Sequence, residues 1–376
     1  MAELKKLFFI LCISVFPVWL ENKVLLDNYQ EKLSDSVNFN FELLNFKDEN
    51  QFSKTYFKNL NISQDSKENI YEWSQVSSFP FTELILSWNS FRPKTGEYSF
   101  FVSVRYDGRW SDWSKIASWG NKKQKTFSNN KNRFVHIKHV RLEMQKRKAN
   151  AFKIRVVAKH GANLSDVKVL FACVSDWHNF KLSKKVLNHP SVVIKGVPKV
   201  SQWHVNHNRT KDLCSPTSTS MILEYYTEKG LFSNNSRDLK EYVPYFAERV
   251  HDQSYLNIYG AWPLNVAQVF QESKGKLFAR VQRLNGVNEL YSYIARNIPV
   301  AVSVRGYLPG AYKSYDNGHF IVVVGWDKAK NAFLCIDPAF PERLTRAYKL
   351  PGFIRAWGRS VSPNLAYIMT PRRIIS

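Results

Sequence analysis

Apolar and polar positions follow two different patterns along the chain. Between residues 35 and 180, short runs rich in aromatic and β-branched residues alternate with turn-forming residues. The clearest runs cover residues 81–88, 98–104, 152–157 and 167–171. Turn signals separate them, for example at residues 92–96 and at Asp107-Gly108. Short strands that repeat without helical spacers predict an all-β sandwich of jelly-roll type.

The second half of the chain mixes helical and strand patterns. Residues 215–229 predict a helix, with Pro216 suited to its first turn and Gly230 to its C-terminal end. A second helix is predicted around 287–297, where apolar residues recur at spacings of three and four. Strands are predicted at residues 300–304, 320–324 and 333–336. The chain is therefore predicted to be an α+β protein.

Four segments divide the chain on this interpretation. Residues 1–20 contain Lys5, Lys6 and a short apolar run, which is typical of a secretory signal and too short to span a bilayer. A buried N-terminal strand is the alternative. The following segments are a β-sandwich accessory domain (35–180), a basic linker (181–190) and a second domain (191–376). The signal predicts a secreted or cell-envelope protein.

The charge balance concerns partners rather than fold. With 54 Lys and Arg against 31 Asp and Glu, the formal net charge of the 376 residues is +23. Nucleic acid, an anionic envelope polymer and an acidic substrate all suit such a surface. No nucleic-acid-binding motif is found, so nucleic acid is not expected as a partner. For an exported protein an anionic envelope polymer is favoured, and a lysine-rich solvated exterior is the alternative.

A tryptophan-rich stretch lies in the β-rich half. Trp110 and Trp113 are separated by two residues, and Trp119 follows. Exposed aromatic faces in a row could stack on sugars. The alternative, which we favour, is that Trp110 and Trp113 pack against the sandwich or its edge.

Cysteine usage points to a free thiol. Cys12 falls in the predicted signal, which leaves Cys173, Cys214 and Cys335. Three cysteines do not form a disulfide framework, and one reactive thiol is expected. Cys173 and Cys335 lie in apolar strand patterns and are predicted to be buried. No cysteine or histidine pair has metal-ligand spacing, so neither a metal nor another cofactor is predicted.

Cys214 is the candidate nucleophile. It immediately precedes the helix predicted for residues 215–229, so its thiol lies at the positive end of the helix dipole. That position favours the thiolate, which is the form that attacks a carbonyl carbon.

His319 and Asp337 are the candidate base and orienting acid. His319 opens a continuous apolar strand, and Asp337 follows the next strand after a polar turn. If the two strands form a hairpin centred on residue 328, residues 319 and 337 are directly opposite each other. A carboxylate beside an imidazole fixes its tautomer and stabilises imidazolium. A slip of one residue in register would separate the two side chains.

Gln202 is the candidate oxyanion donor. It precedes the cysteine by twelve residues, and its amide could share this role with the Cys214 backbone N–H. The alternative is an ordinary surface glutamine.

These residues carry a family resemblance. The segments concerned are 197–202, 214–221, 318–319, 337–339, 259–265, 299–304 and 346–357, together with 86–89 and 110–113 in the β-rich half. They resemble papain-like peptidases related to the bacteriocin-processing (double-glycine) peptidases, cysteine-peptidase family thirty-nine. The resemblance implies a papain-like cysteine peptidase domain preceded by a β-domain.

Residue roles follow from the same resemblance. It implies Cys214 as nucleophile, His319 as base, Asp337 as orienting acid and Gln202 as oxyanion donor. The predicted function is that of an exported cysteine peptidase acting on peptide or protein substrates. An acyltransferase or amidase acting on cell-wall peptides, or a catalytically inactive polysaccharide-binding protein, remain the alternatives.

Overall fold

A computed structural model describes residues 51–182, 188–232 and 236–372. The predicted signal at residues 1–20, with Cys12, lies outside these ranges, as do residues 183–187 of the predicted linker. Over the described ranges, helices of the length and apolarity needed to span a membrane are not found.

The N-terminal part is built from antiparallel strands, and it contains every strand predicted there. Its strands are β1 (Ser53–Asn59), β2 (Ile70–Phe81), β3 (Glu83–Ser90), β4 (Glu97–Tyr106), β5 (Arg109–Trp110), β6 (Ser114–Gly120), β7 (Gln124–Asn129), β8 (Val135–His139), β9 (Arg141–Met144), β10 (Ala149–Lys159) and β11 (Val167–Ser175). The predicted turn at Asp107-Gly108 joins β4 to β5, and both residues have positive φ.

These strands form one path that folds over on itself. The order is β1-β11-β3-β9-β8-β7-β6-β4-β10-β2, with β5 beside β4. The two halves of the path face each other, since Trp88 of β3 stacks on Phe100 of β4 with ring centroids 4.0 Å apart. Tyr56 of β1 likewise contacts Phe152 of β10. The arrangement is the predicted β-sandwich.

The tryptophans differ in their surroundings. Trp119 is buried in the sandwich core. Trp110 and Trp113 are partly exposed, and cationic side chains cover their faces. The Lys153 ammonium lies 4.3 Å from the Trp110 ring centroid, and the Arg155 guanidinium lies 4.2 Å from that of Trp113. Both rings therefore lie against the solvent-facing side of β10.

The C-terminal part is an antiparallel sheet with helices. Its helices are α1 (Cys214–Glu228), α2 (Leu239–Val250), α3 (Trp262–Glu272), α4 (Val287–Ala295) and α5 (Leu350–Gly358). Its strands are β12 (Val192–Val193), β13 (Leu277–Arg283), β14 (Val300–Gly306), β15 (Tyr315–Asp327), β16 (Ala332–Ile336), β17 (Thr345–Lys349) and β18 (Leu365–Pro371). The sequence patterns did not predict α2, α3, α5, β13, β17 or β18.

The sheet order is β13-β18-β14-β15-β16-β17, with β12 beside β15. Helix α1 packs against it, and thirteen of its fifteen residues are buried. Small polar side chains allow this close approach, and the Ser218 hydroxyl donates to the Phe320 carbonyl of β15 at 3.1 Å. The helix ends as predicted, because Gly230 adopts φ +71° beyond its last turn.

Strand β13 forms one edge of this sheet, and side chains of the β-rich part cover it. The Asn89 amide donates to the Ala279 carbonyl at 2.7 Å and accepts from the Ala279 N–H at 3.1 Å. The Ser87 hydroxyl accepts from the Val281 N–H at 3.2 Å. The Ala279 N–H and C=O and the Val281 N–H are therefore satisfied without a further strand.

The same edge carries a buried ion pair. Arg283, the last residue of β13, donates to the Glu83 carboxylate of β3 at 2.6 Å, and the two side chains are 0% and 6% exposed. The guanidinium also donates to the hydroxyls of Ser175 and Ser362. The backbone N–H of Arg283 donates to the Cys173 sulfur at 3.3 Å. Cys173 and Cys335 are both buried in strands, as predicted.

Candidate active site

Cys214 is the first residue of α1 and is half-buried. The preceding residue, Leu213, offers no side-chain cap, so the first N–H groups of the helix face the site without one. Burial raises the pKa of the Cys214 thiol. The hydrogen bond and charge of His319, together with the N–H groups of Phe320 and Ser215, outweigh it, and the net pKa is lowered. The site therefore favours the thiolate.

His319 is positioned by an interruption in strand β15. Val304 of β14 pairs with His319, but Gly306 pairs with Tyr315, so β15 has extra residues here. Gly318 lies within this bulge at φ +85°, a conformation that favours glycine. On a regular strand, residues 315 and 319 would be about 13 Å apart. The bulge instead brings the rings of Tyr315 and His319 to a centroid distance of 4.0 Å.

Asp337 follows β16 and is fully buried. Its Oδ1 accepts from His319 Nε2 at 2.8 Å and from the Ala339 N–H at 3.0 Å. Its Oδ2 accepts from the hydroxyls of Tyr315 at 2.7 Å and Tyr348 at 2.5 Å. Burial raises the pKa of this carboxyl, but the His319 charge and these donors lower it overall. The carboxylate is thus held ionised and in one orientation.

His319 carries a raised pKa. Burial lowers it, but the charge and hydrogen bond of Asp337, with the Cys214 thiolate, raise it to about 9. Because Nε2 donates to the carboxylate, Nδ1 is the ring nitrogen available for the hydrogen bond with the Cys214 thiol. A lowered thiol pKa beside a raised imidazole pKa favours a thiolate and imidazolium pair.

The predicted hairpin register was wrong by two residues at this end. Val322 pairs with Ile336, whereas a turn centred on residue 328 would pair it with residue 334. The actual turn is longer, since Asp327 pairs with Ala332, and a second irregularity follows Val323. A shift of two preserves the face on which each side chain lies. His319 and Asp337 therefore still meet.

Gln202 is buried between the segments that carry the other residues. Its backbone N–H donates to the Pro338 carbonyl at 3.0 Å, next to Asp337. Its side-chain amide donates to the Thr210 carbonyl at 2.9 Å, in the turn that leads into α1. The surface position considered as an alternative is therefore wrong, because Gln202 is only 2% exposed.

The loop between Gln202 and Cys214 is held by its own polar contacts. Arg209 pairs with Asp212 at 2.9 Å and donates to the Asn257 carbonyl at 2.7 Å. His207 Nε2 lies 3.0 Å from a Glu248 oxygen. These contacts hold the loop in place, and within it the Gln202 amide bonds Thr210.

Two residues in the family-like segment 259–265 have other surroundings. Asn265 is buried, and its amide donates to the Tyr259 and Ala261 carbonyls in the turn that precedes α3. Trp262 is also buried and lies near Arg141 of the β-rich part. Among the described residues, neither side chain forms a hydrogen bond with Cys214, His319 or Asp337. A group of three His, Cys, Asp or Glu side chains able to hold a metal is not found in the described residues.

The two tyrosines that bind Asp337 were missed as site residues. Tyr315 is four residues before His319 on one strand, so an even spacing was available as a signal for a shared face. Tyr348 occurred in a family-like segment but had no assigned role. Its contact depends on the pairing of β17 with β16, which the sequence patterns did not predict.

The chain resembles one protein family and several solved structures. Residues 194–363 match the model of the Peptidase_C39 like family. A protein from Bacillus anthracis described as a C39-like peptidase is 16% identical, with a TM-score of 0.36, over 48% of this chain and 98% of that one. Xylellain, a cysteine protease from Xylella fastidiosa, is 11% identical, with a TM-score of 0.29, over 51% and 90%. No curated protein matches the chain.

The family match covers Gln202, Cys214, His319 and Asp337, all of which lie within residues 194–363. The part of the chain that holds these residues is therefore similar to the Peptidase_C39 like family.

Proposed function

We propose that this chain is an exported cysteine peptidase that hydrolyses peptide bonds through Cys214, His319 and Asp337. The observation that carries the proposal is the hydrogen-bonded series from thiol to imidazole to carboxylate. Gln202 and the Cys214 backbone N–H are proposed as oxyanion donors. One N–H of the Gln202 amide bonds Thr210, and the second remains for a substrate oxygen.

The proposed reaction has two halves. The Cys214 thiolate attacks the peptide carbonyl carbon, and the oxyanion accepts hydrogen bonds from the two donors. The His319 imidazolium gives its proton to the leaving nitrogen, the C–N bond breaks, and a thioester remains on Cys214. His319 then removes a proton from water, which attacks the thioester. The C–S bond breaks, and the acid product leaves with thiolate and imidazolium restored.

Alkylation of the intact protein tests the assignment of the nucleophile. Burial raises the pKa of Cys173, and burial with the charge of Asp337 raises that of Cys335 well above its ordinary value. Iodoacetamide at pH 6 is therefore expected to label Cys214 in preference to Cys173 and Cys335, as read by peptide mass spectrometry, and to abolish peptide cleavage in proportion. Cys214→Ala should be inactive. Full activity of that variant on a cleaved peptide would overturn the proposal.

The two alternatives predict different products. An acyltransferase would yield an amine-linked product when an amine competes with water, whereas a peptidase yields mainly the free acid. An amidase of cell-wall peptides would cleave those peptides in preference to ordinary ones. An inactive binding protein would show only slow labelling of all thiols. Chromatography of the products with and without an added amine separates these cases.

We also propose that the protein is exported and that its basic surface binds an anionic envelope polymer. Export is supported by the apolar run within residues 1–20, and polymer binding by the net charge of +23. Cationic side chains over Trp110 and Trp113 add local support. Cell fractionation tests export, and co-sedimentation with purified anionic polymer at rising salt tests binding. Retention in the cytosol, or binding that does not weaken with salt, would contradict the respective proposal.

A further inference from the structure

Five side chains surround the segment that follows Asp337, and we call them the aromatic patch: Trp203, Tyr312, Lys313, Phe340 and Arg346. The Trp203 indole N–H donates to the Ala339 carbonyl at 2.7 Å. The Tyr312 and Phe340 rings lie 5.6 Å apart between centroids. The Arg346 guanidinium lies 3.6 Å from the Phe340 centroid, and the Lys313 ammonium lies 5.8 Å from that of Trp203.

The patch adjoins the His319 side of the site. Trp203 follows Gln202 in sequence, and Tyr312 and Lys313 are three and two residues before Tyr315, where β15 begins. Arg346 is two residues before Tyr348 on β17, so both side chains lie on the face that contacts Asp337. A general acid must be next to the nitrogen that it protonates. The part of the substrate C-terminal to the cleaved bond therefore leaves past His319, over this patch.

The two cations of the patch have no carboxylate partner. Over the described ranges, neither Lys313 nor Arg346 forms an ion pair, and the Arg346 Nε is buried without a hydrogen-bond acceptor. Lys313 is exposed, Tyr312 is 52% exposed, and Trp203 is partly exposed. An arginine stacked on an aromatic ring and lacking an acceptor is well placed to bind a carboxylate. The exposed aromatic faces suit an apolar side chain.

We infer that the aromatic patch selects substrates by the residues that follow the cleaved bond. A large apolar or aromatic residue directly after the bond packs on the rings, and a carboxylate farther along binds Arg346 and Lys313. The carboxylate comes from an acidic side chain or from the C-terminus of the peptide. This inference rests on the proposed function, in which His319 protonates the leaving amine.

Partitioning of the acyl-enzyme tests the inference directly. A peptidyl methyl ester, which has no residue on the leaving side, forms the thioester on Cys214. An added dipeptide amine then attacks the thioester carbonyl, the C–S bond breaks, and the amine proton passes to His319. The ratio of amide to acid product measures how well each dipeptide binds the leaving side.

The acceptors form a matched set. Phe-Glu-NH2, Phe-Gln-NH2 and Phe-Lys-NH2 vary the charge, and Gly-Glu-NH2 removes the aromatic ring. Phe-Gly-OH against Phe-Gly-NH2 separates a terminal carboxylate from a side-chain one. We expect Phe-Glu-NH2 to exceed Phe-Lys-NH2 by about tenfold, the factor that corresponds to one modest charge-assisted hydrogen bond.

The variants are chosen to leave the site intact. Arg346→Gln and Lys313→Gln should reduce the preference for acidic acceptors, and Tyr312→Ala should reduce the preference for Phe over Gly. Lys349→Gln is the control, because Lys349 is exposed on the same strand but three residues away, on its other face. All variants should form the thioester at the wild-type rate.

Three outcomes would overturn the inference. Equal partitioning among the acceptors, with the thioester formed normally, would reject the patch and leave the proposed function standing. If Lys349→Gln reduced the preference for acidic acceptors as much as Arg346→Gln and Lys313→Gln, the preference would come from the overall charge of the protein and not from the patch. Failure of the wild-type protein to form a thioester on Cys214 would reject the proposed function and this inference together.

Discussion

Tyr315 stacks on His319 with ring centroids 4.0 Å apart, and both side chains bind the same carboxylate. The Tyr315 hydroxyl occupies one oxygen of Asp337 and the imidazole occupies the other. The stacking fixes the plane of the ring, and the shared carboxylate fixes its tilt. His319 is therefore held in one orientation before a substrate arrives.

Removal of the hydroxyls around Asp337 should lower activity without unfolding the protein. Hydrogen bonds to charged groups contribute about 1.5–3 kcal/mol each, so Tyr315→Phe and Tyr348→Phe should each lower kcat/KM about tenfold or more. The rings are retained, so the protein should stay folded and the thermal midpoint should fall by only a few degrees. Tyr307→Phe is the control, because Tyr307 is 68% exposed. A large loss of stability with unchanged kcat/KM would indicate a structural role instead.

The pH dependence should follow the thiolate and imidazolium pair. Above about 9, His319 loses its proton, so the leaving nitrogen has no acid and kcat/KM should fall. On the acid side, activity should persist well below the ordinary pKa of a thiol, because that of Cys214 is lowered. Rates of peptide cleavage and of iodoacetamide inactivation across the pH range measure both limbs.

Asp337→Asn tests the cause of the alkaline limb. Removal of the carboxylate charge removes the main influence that raises the His319 pKa, so this limb should move to lower pH. Asp316→Asn is the matched control, since Asp316 is an exposed residue of the same strand. An unchanged alkaline limb in Asp337→Asn would contradict the assigned cause.

Gly318→Ala should strain the bulge that positions His319. No neighbouring atom lies nearer than 4.0 Å to an added Cβ, so the cost comes from the backbone at φ +85°. Left-handed conformations cost non-glycine residues about 1–2 kcal/mol. Denaturant unfolding should show that loss, with lower kcat. Gly260→Ala is the control, because Gly260 has an open surrounding and no positive φ. Equal effects of the two substitutions would contradict this interpretation.

Breaking the buried pair of Arg283 and Glu83 should lower the free energy of unfolding far more than breaking a surface pair. Glu83→Gln leaves the Arg283 charge buried without its partner and should cost about 3–5 kcal/mol of unfolding free energy. Arg155→Gln, which breaks the pair with Glu72, should cost about 0–1 kcal/mol. The side chains of that pair are 32% and 45% exposed. The double substitution Arg283→Met with Glu83→Leu should recover part of the loss. Similar losses for both single substitutions would contradict the expectation.

Local signals predicted the elements around the nucleophile well. Pro216 and Gly230 delimit α1 because the ends of a helix have distinct chemical requirements, and the strands at 300–304 and 320–324 lie where apolar runs occur. His319 and Asp337 meet even though the predicted register was wrong, since an even shift keeps the face. The contact between His319 and Asp337 was therefore more predictable than the register of the strands that carry them.

Other features depend on pairing between distant segments. The bulge at Gly318 inserts residues that no alternation of apolar and polar positions reveals. The bond from Tyr348 to Asp337 requires β17 beside β16, and β17 has an exposed, polar pattern. Strand β13 is buried along its whole length, although its last residue is Arg283. The buried charge of Arg283 is compensated by the carboxylate of Glu83, which is distant in sequence. Tertiary contacts decide such positions.

The coverage of β13 by Asn89 and Ser87 has a consequence for any attempt to isolate the peptidase part. An excised fragment from residue 188 onward would expose the Ala279 N–H and C=O and the Val281 N–H to other molecules. Such an open strand invites pairing with a second copy, and thus dimerisation or precipitation. Because the β-rich part covers this edge, we expect it to keep the peptidase part soluble. The smallest soluble, active fragment should therefore contain both parts.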